Sequence, residues 1–191
     1  DPEAEQSFAP PLCNRIDRNT GGIVIAAKTA EALRIMNEKI RNDELRKFYL
    51  CAVHGCPKPR RATLTGWLKK NSEDNLVEIS DVRKPGFKEI ITKYRVLSER
   101  EDKSLLEVEL VTGRTHQIRA HLAHVGHPLV GDGKYGVNRN DREKGYKHQA
   151  LYAFRLEFAF REDSGALQYL NGRRFELDRR EIWFLSEFED A

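Results

Sequence analysis

Two stretches of the chain carry side chains able to do covalent chemistry. Asn14-Arg15-Ile16-Asp17-Arg18-Asn19-Thr20-Gly21-Gly22 is a polar loop set directly before the apolar run Ile23 to Ala27. Asp17 lies between Arg15 and Arg18, and neighbouring guanidinium charge keeps a carboxylate ionised, hence able to act as nucleophile or base. The same residues also describe a turn in which an aspartate bonds its own backbone. Gly21-Gly22 suits either reading, as a tight turn or as a close approach to a ligand. The second stretch runs from Thr112-Gly113-Arg114-Thr115-His116-Gln117-Ile118-Arg119-Ala120-His121-Leu122 through Gly126-His127-Pro128-Leu129-Val130-Gly131-Asp132 to Tyr135-Gly136. A strand that ends in Thr-Gly-Arg and opens a helix offers backbone N–H groups and arginines to an anion, phosphate first. Four of the six histidines fall here: His116, His121, His124 and His127. That density invites zinc, but the HExxH pattern is absent and Asp132 is the only close carboxylate downstream, so hydrogen-bonded histidines and no metal site are expected.

Positioning such groups takes a core, and 191 residues with 39% hydrophobic and 33% charged suffice for one domain spanning residues 1–191. The formal charge of +3 does not by itself mark a nucleic-acid binder. Its distribution is uneven, with basic neighbourhoods from Arg34 to Arg61 and from Arg114 to Lys147, and with Glu181, Glu187, Glu189 and Asp190 toward the end. Such runs also describe an ordinary solvated face. No apolar run approaches the roughly 18 residues of a membrane span, so an integral helical membrane protein is not expected, nor is a secretory signal. Cys13, Cys51 and Cys56 form an odd set without CxxC spacing, which argues against a disulfide framework or thiolate zinc and for a reducing cytosol. Cys51, inside an apolar run, is expected in the core. The start, Asp1-Pro2-Glu3-Ala4, lacks Met, so a longer parent chain is expected.

The elements follow from periodicity. After a polar segment, Ser7 to Pro11, the run Ile23 to Ala27 reads as a buried strand. Thr29 is an N-cap, and Leu33, Met36 and Ile40 recur at helical spacing up to Asn42. Phe48 to Val53 is a second buried strand. From there the period is two: Ala62 to Leu68, Leu76 to Ser80, Ile90 to Leu97 and Leu105 to Val111 are strands separated by short turns such as Lys70-Asn71-Ser72, and short turns imply antiparallel neighbours. A helix is expected over His116 to Val125, capped by Thr115 and stopped at Gly126. Leu151 to Phe160 alternates as a strand, and Arg174 to Leu177 follows the hairpin-like signal Asn171-Gly172. The sum is an α+β fold with a mixed, mainly antiparallel sheet and flanking helices.

The motif residues resemble the RluA-type pseudouridine synthases. Asn14 to Gly22 looks like that family's catalytic His-Arg-Leu-Asp-x-x-Thr-Ser-Gly. Gly113 to Leu122, with Gly126 to Asp132 and Tyr135-Gly136, matches its second long motif almost residue for residue. Lys47-Phe48-Tyr49-Leu50 matches its Lys-x-Tyr strand, and Gln149-Ala150-Leu151-Tyr152-Ala153 resembles its His-Ala-Leu-His-Ala strand. The likeness runs from about Leu12 to Phe160. Asn14 stands for the usual His, Gly21 for Ser and Tyr152 for the second His of the last motif.

The resemblance implies a pseudouridine synthase catalytic domain, lacking upstream strands and a small S4-like RNA-binding domain. The reaction it implies is isomerisation of selected uridines in rRNA or tRNA, without metal or cofactor. By resemblance Asp17 is the nucleophile on a flipped-out nucleotide, Arg119 pairs with it, Tyr49 stacks on the uracil, and Leu151 walls the pocket. Arg15 takes the place of the extruded base in the stack, and Arg114, Lys134 and the Arg34 to Arg61 stretch contact phosphate. RNA is the expected partner, the cytoplasm the expected location and a monomer the expected state. Two other classes fit parts of the sequence: an RNA-binding module of the same fold without catalysis, and a His-rich metal hydrolase.

Overall fold

A computed structural model describes residues 9–71, 74–136 and 139–188. Asp1 to Ala4, Ser7, Ser72, Glu189 and Asp190, singled out above, lie outside them. The described elements are β1 (Gly21–Gly22), α1 (Ala30–Arg41), β2 (Leu45–His54), β3 (Arg61–Asn71), β4 (Leu76–Ser80), β5 (Lys88–Arg100), β6 (Lys103–Leu110), α2 (Gln117–His124), α3 (Arg139–Glu143), β7 (Leu151–Phe158) and β8 (Arg174–Glu176). Short 3-10 turns occupy Gly165–Leu170, Arg179–Glu181 and Leu185–Glu187.

The strands form one sheet in the order β1-β7-β2-β6-β5-β3-β4, with β8 added to β7. Every described pairing is antiparallel except β1 with β7. This is the expected α+β class with a mixed, mainly antiparallel sheet. Period-two alternation gives the sheet two apolar faces. On β2, Tyr49, Cys51 and Val53 join Leu106, Val108, Leu151 and Ala153 under Ile118 and Leu122 of α2. Phe48, Leu50 and Ala52 point the other way, into Tyr146, Ile182, Phe184 and Leu185. Cys51 is fully buried, as expected of a core cysteine. Helix α1 packs Ile35 and Met36 against Leu45, Leu156 and Phe158. Its start is as read: the Thr29 hydroxyl oxygen accepts from the Ala32 N–H at 3.1 Å.

Three expectations need correction. Ile23 to Ala27 is not a buried strand. After β1 the backbone runs extended, bonded on one side through Ile23 N to Ala153 O (2.9 Å) and on the other through Cys13 N to Ile25 O (2.7 Å). Val24 is 42% exposed, because an apolar run shows hydrophobicity but not whether a partner strand exists. Thr115 does not cap α2. His116 does, in the left-handed region (φ 52°) and without a side-chain cap bond. The Asn171-Gly172 turn joins no tight hairpin, since Gly165–Leu170 intervenes between β7 and β8.

Candidate active site

Pairing between β1 and β7 brings the Asp17 loop onto the sheet. Gly21 faces Tyr152 and Gly22 faces Ala153. A Cβ on Gly22 would overlap the Ala153 carbonyl, and its φ of +122° suits glycine alone. The close approach allowed for in the sequence is therefore made to the protein's own strand. The loop is fixed further by Gln149, whose Nε2 donates to Arg18 O (2.7 Å) and Thr20 Oγ1 (3.2 Å), and by Thr20 N donating to Asp17 O (3.0 Å). Asn14 holds the loop's start: its Oδ1 accepts from Ile25 N at 2.7 Å.

The second wall is the turn between β6 and α2. Buried Gln117 organises it, its Oε1 accepting from Thr112 Oγ1 (2.8 Å) and Arg114 N (3.1 Å) and its Nε2 donating to Ile91 O and Thr92 Oγ1. Two amides expected to be open to an anion are thus already engaged, Arg114 N with Gln117 and Gln117 N with Arg114 O. Between the walls lies a cleft of about 340 Å³, at the small end of ligand-site volumes, about 300–1,000 Å³. Arg15, Asp17, Tyr49, Arg114 and Leu151 all line it, as do Lys47, Thr20 and His116.

Arg119 stands behind the cleft, only 5% exposed. Its Nε and Nη2 grip both oxygens of Asp132 (2.7 and 2.8 Å), while its Nη1 faces Asp17 Oδ2 at 3.5 Å. One guanidinium thus serves two carboxylates unequally. Asp132 takes the tight bidentate grip, and Asp17 keeps a neighbouring positive charge without being tied up by it. Asp132 also accepts from the Lys134 and Tyr135 amides (2.9 and 3.3 Å). Burial would raise its carboxyl, yet these bonds and the Arg119 charge prevail and hold it below the usual range.

Tyr49 forms the aromatic side of the cleft. Burial, aided by the Asp17 charge, pushes its phenol up to about 12, so it is protonated at neutral pH and offers a ring and a donor rather than a base. Lys47, two positions earlier on the same face of β2, has its ammonium pulled below the ordinary lysine range by burial. Tyr135 Oη accepts from Val77 N (3.0 Å) and lies 2.8 Å from His116 Nδ1, with its ring packed on the Arg119 guanidinium. Burial lowers the His116 pKa, which favours the neutral ring.

The other histidines are distributed singly. His121 Nδ1 meets Thr92 Oγ1, His124 meets Asp81 and His127 meets the His54 carbonyl. No group of three or more His, Cys, Asp or Glu able to hold a metal occurs among the described residues. Of the basic stretch from Arg34 to Arg61, several members are engaged internally: Lys39 is buried on Glu44, Arg46 bridges Glu109 and Glu157, and Arg60 pairs with Glu99. Lys134 reaches the Asn75 carbonyl instead of the cleft.

The sequence reading did not give Asp132, Gln117 or Gln149 a part in the site. All three lie inside the quoted motifs, so the signal was present, but their partners are set by folding rather than by spacing.

Comparison with known proteins places these features in context. A family model described as RNA pseudouridylate synthase matches residues 1–124. The chain is 40% identical over 164 residues to an uncharacterized RNA pseudouridine synthase of Mycoplasma genitalium, covering 83% of this chain and 50% of that protein. It is 36% identical over 150 residues to the ribosomal large subunit pseudouridine synthase C of Vibrio parahaemolyticus, covering 77% and 46%. The chain thus spans about half the length of the curated relatives it matches. Among solved structures, human RNA pseudouridylate synthase domain containing 4 superposes with a TM-score of 0.75 at 21% identity, over 97% of this chain and 79% of that one. Human RNA pseudouridylate synthase domain containing 1 gives 0.70 at 22%, over 96% and 82%. Likeness at that identity speaks for the fold.

Proposed function

Since this chain belongs to the RNA pseudouridylate synthase family, in its RluA branch, we propose that it isomerises specific uridines in RNA, with Asp17 as the group that attacks. The observation that carries this reading is the unequal sharing of Arg119. Asp132 takes the bidentate grip and orients the guanidinium, leaving Asp17 beside it and facing the cleft.

In the reaction, the N1–C1′ bond of a uridine breaks, the uracil turns, and a C5–C1′ bond forms. C5 loses its proton and N1 ends protonated, so atoms and electrons balance without oxidant, metal or cofactor. An ionised Asp17 supplies the nucleophile, whether toward C1′ or the uracil ring, or the base for a glycal route. Tyr49 stacks on the base and Leu151 forms the apolar wall. A uridine within folded RNA must first leave the stack, at a cost of a few kcal/mol, least in a loop. Arg15 and Arg114, at the cleft mouth, are the groups that hold the extruded strand by backbone and phosphate.

Ribosomal RNA is the favoured substrate, on the names of relatives such as the large subunit enzyme of Vibrio parahaemolyticus, with transfer RNA as the second candidate. The chain is taken to act as a monomer in the cytoplasm.

The test is to incubate the chain, and an Asp17→Asn version, with unmodified rRNA and tRNA transcripts, and to map pseudouridine by carbodiimide-dependent primer-extension stops. Stops made only by the unmutated chain are expected. Equal activity of Asp17→Asn would remove the nucleophile assignment, and salt-sensitive RNA binding without stops would point to a non-catalytic RNA-binding module.

A further inference from the structure

Asp141 is a buried carboxylate that the reaction as described above does not use. It sits on the short helix α3 and is 3% exposed. One of its oxygens, Oδ2, accepts from Gly131 N at 2.8 Å and lies 2.9 Å from His54 Nε2 at the end of β2. Burying a carboxylate is unfavourable unless its partners are well placed, so the placement calls for a reason.

Gly131 supplies one, because it immediately precedes Asp132. The backbone there is held from three directions. Val130 N donates to Ala52 O on β2 and Ala150 N donates to Val130 O, both at 2.9 Å. Gly131 itself has φ +75°, and a Cβ on it would overlap the His148 carbonyl. Its N–H then points at Asp141. The next side chain is the Asp132 carboxylate that fixes Arg119, and Arg119 faces Asp17. A continuous series of contacts joins α3 to the attacking group: charge-assisted bonds from Asp141 to Gly131 N and from Arg119 to Asp132, the peptide shared by Gly131 and Asp132, and last the looser 3.5 Å ion pair of Arg119 with Asp17.

We propose that Asp141 is a positioning residue for the Asp17 centre, acting through Gly131, Asp132 and Arg119. The inference rests on the catalytic reading above. It adds that the geometry of Asp17 is set from the far side of β2, by a helix that touches neither substrate nor Asp17. Removing the acceptor orphans the Gly131 N–H and frees the Asp132 backbone to shift. Displacements of about 1 Å at a reacting centre cost on the order of a hundredfold in rate.

The experiment compares Asp141→Ala with Asp141→Asn, whose amide oxygen can still accept from Gly131. Single-turnover kinetics on an unmodified RNA transcript that carries the target uridine should show the alanine variant slowed about ten- to a hundredfold at an RNA affinity within about twofold of the parent, and the asparagine variant largely restored. A second readout does not depend on activity. The Arg119 Nε–H resonance, locked at 2.7 Å on Asp132, should shift or broaden in Asp141→Ala and return in Asp141→Asn. An alanine variant that melts earlier yet keeps both its rate and its Arg119 signal would reduce Asp141 to a fold anchor and overturn the proposal. If the unmutated chain makes no pseudouridine, the catalytic reading fails, and the Arg119 signal still decides whether Asp141 sets that guanidinium.

Discussion

Two residues that depart from the family's usual form touch one another. Gly21 stands where the motif has Ser, and Tyr152 stands where the last motif has His, and the two are direct partners across the β1–β7 pairing. A Cβ on Gly21 would overlap the Tyr152 ring. The two departures are therefore one exchange of volume, small against large, and not two separate losses of a motif residue. Gly21→Ser alone should destabilise by about 1–3 kcal/mol, as overpacking does, unless the ring swings out. Adding Tyr152→His should recover much of that, giving a coupling of about 0.5–3 kcal/mol in a double-mutant cycle read by urea unfolding. Strictly additive effects would show that the two sites are independent. The same scale explains why Asp17 needed the resemblance. Its flanking arginines suggested an ionised carboxylate, yet Arg15 and Arg18 form no ion pair with it among the described residues, and Arg119, far along the chain, does.

Helix α2 shows how an element carries the site and what that costs. Eight residues long, it buries six, Gln117 to Leu122, between the cleft and the sheet. His121 is among them, 2% exposed, with Nδ1 on Thr92 of β5. Burial, helped by His124, lowers its pKa to about 4. A neutral histidine in the fold and one near 6.5 in the unfolded chain mean that the unfolded state binds the extra proton between those values. Stability should then fall as pH drops from about 6.5 to 4, by roughly 2–3 kcal/mol from this residue, with His116 contributing in the same direction. Urea midpoints at pH 7 and pH 4.5 measure it. His121→Gln should flatten the slope, and an unchanged slope would refute the assignment. Elements with a clear period were legible in sequence: α1 with its Thr29 cap, and β4 to the residue. Ile23 to Ala27 differs from the expectation because Ile23 and Ile25 pack on the apolar cluster of α1, β2 and β7 while the segment's backbone pairs at isolated points, Ala153 O and Cys13 N among them, and forms no ladder among the described residues. The α2 cap was misread because Thr115 has the right chemistry for a position that the backbone gives to His116 in a left-handed turn.

For the molecule as a whole, the sheet is the common frame of every site residue. Tyr49 and Lys47 rise from β2, Leu151 from β7, the Arg114 turn follows β6, and Arg119 lies on α2 above them. Fold class was readable from the period of the strands and helices, and the quoted motifs hold Arg15, Asp17, Tyr49, Arg114 and Leu151, which line the cleft. The links running through Asp132, Gln117 and Gln149 were not, since they join segments whose proximity exists only after the sheet has formed. One small pairing, β1 on β7, then has a kinetic meaning. Because Gly22 is seated against Ala153 and Ile23 N donates to Ala153 O, the segment that carries Asp17 is sewn to a strand flanked on its other edge by β2. Its amide at Ile23 should exchange with deuterated solvent about as slowly as the sheet interior, through openings of the whole unit. Fast, loop-like exchange there would mean that the segment carrying Asp17 breathes independently of the sheet. Slow exchange would mean that the cleft stays assembled in the folded protein, and that it comes apart only when the protein does.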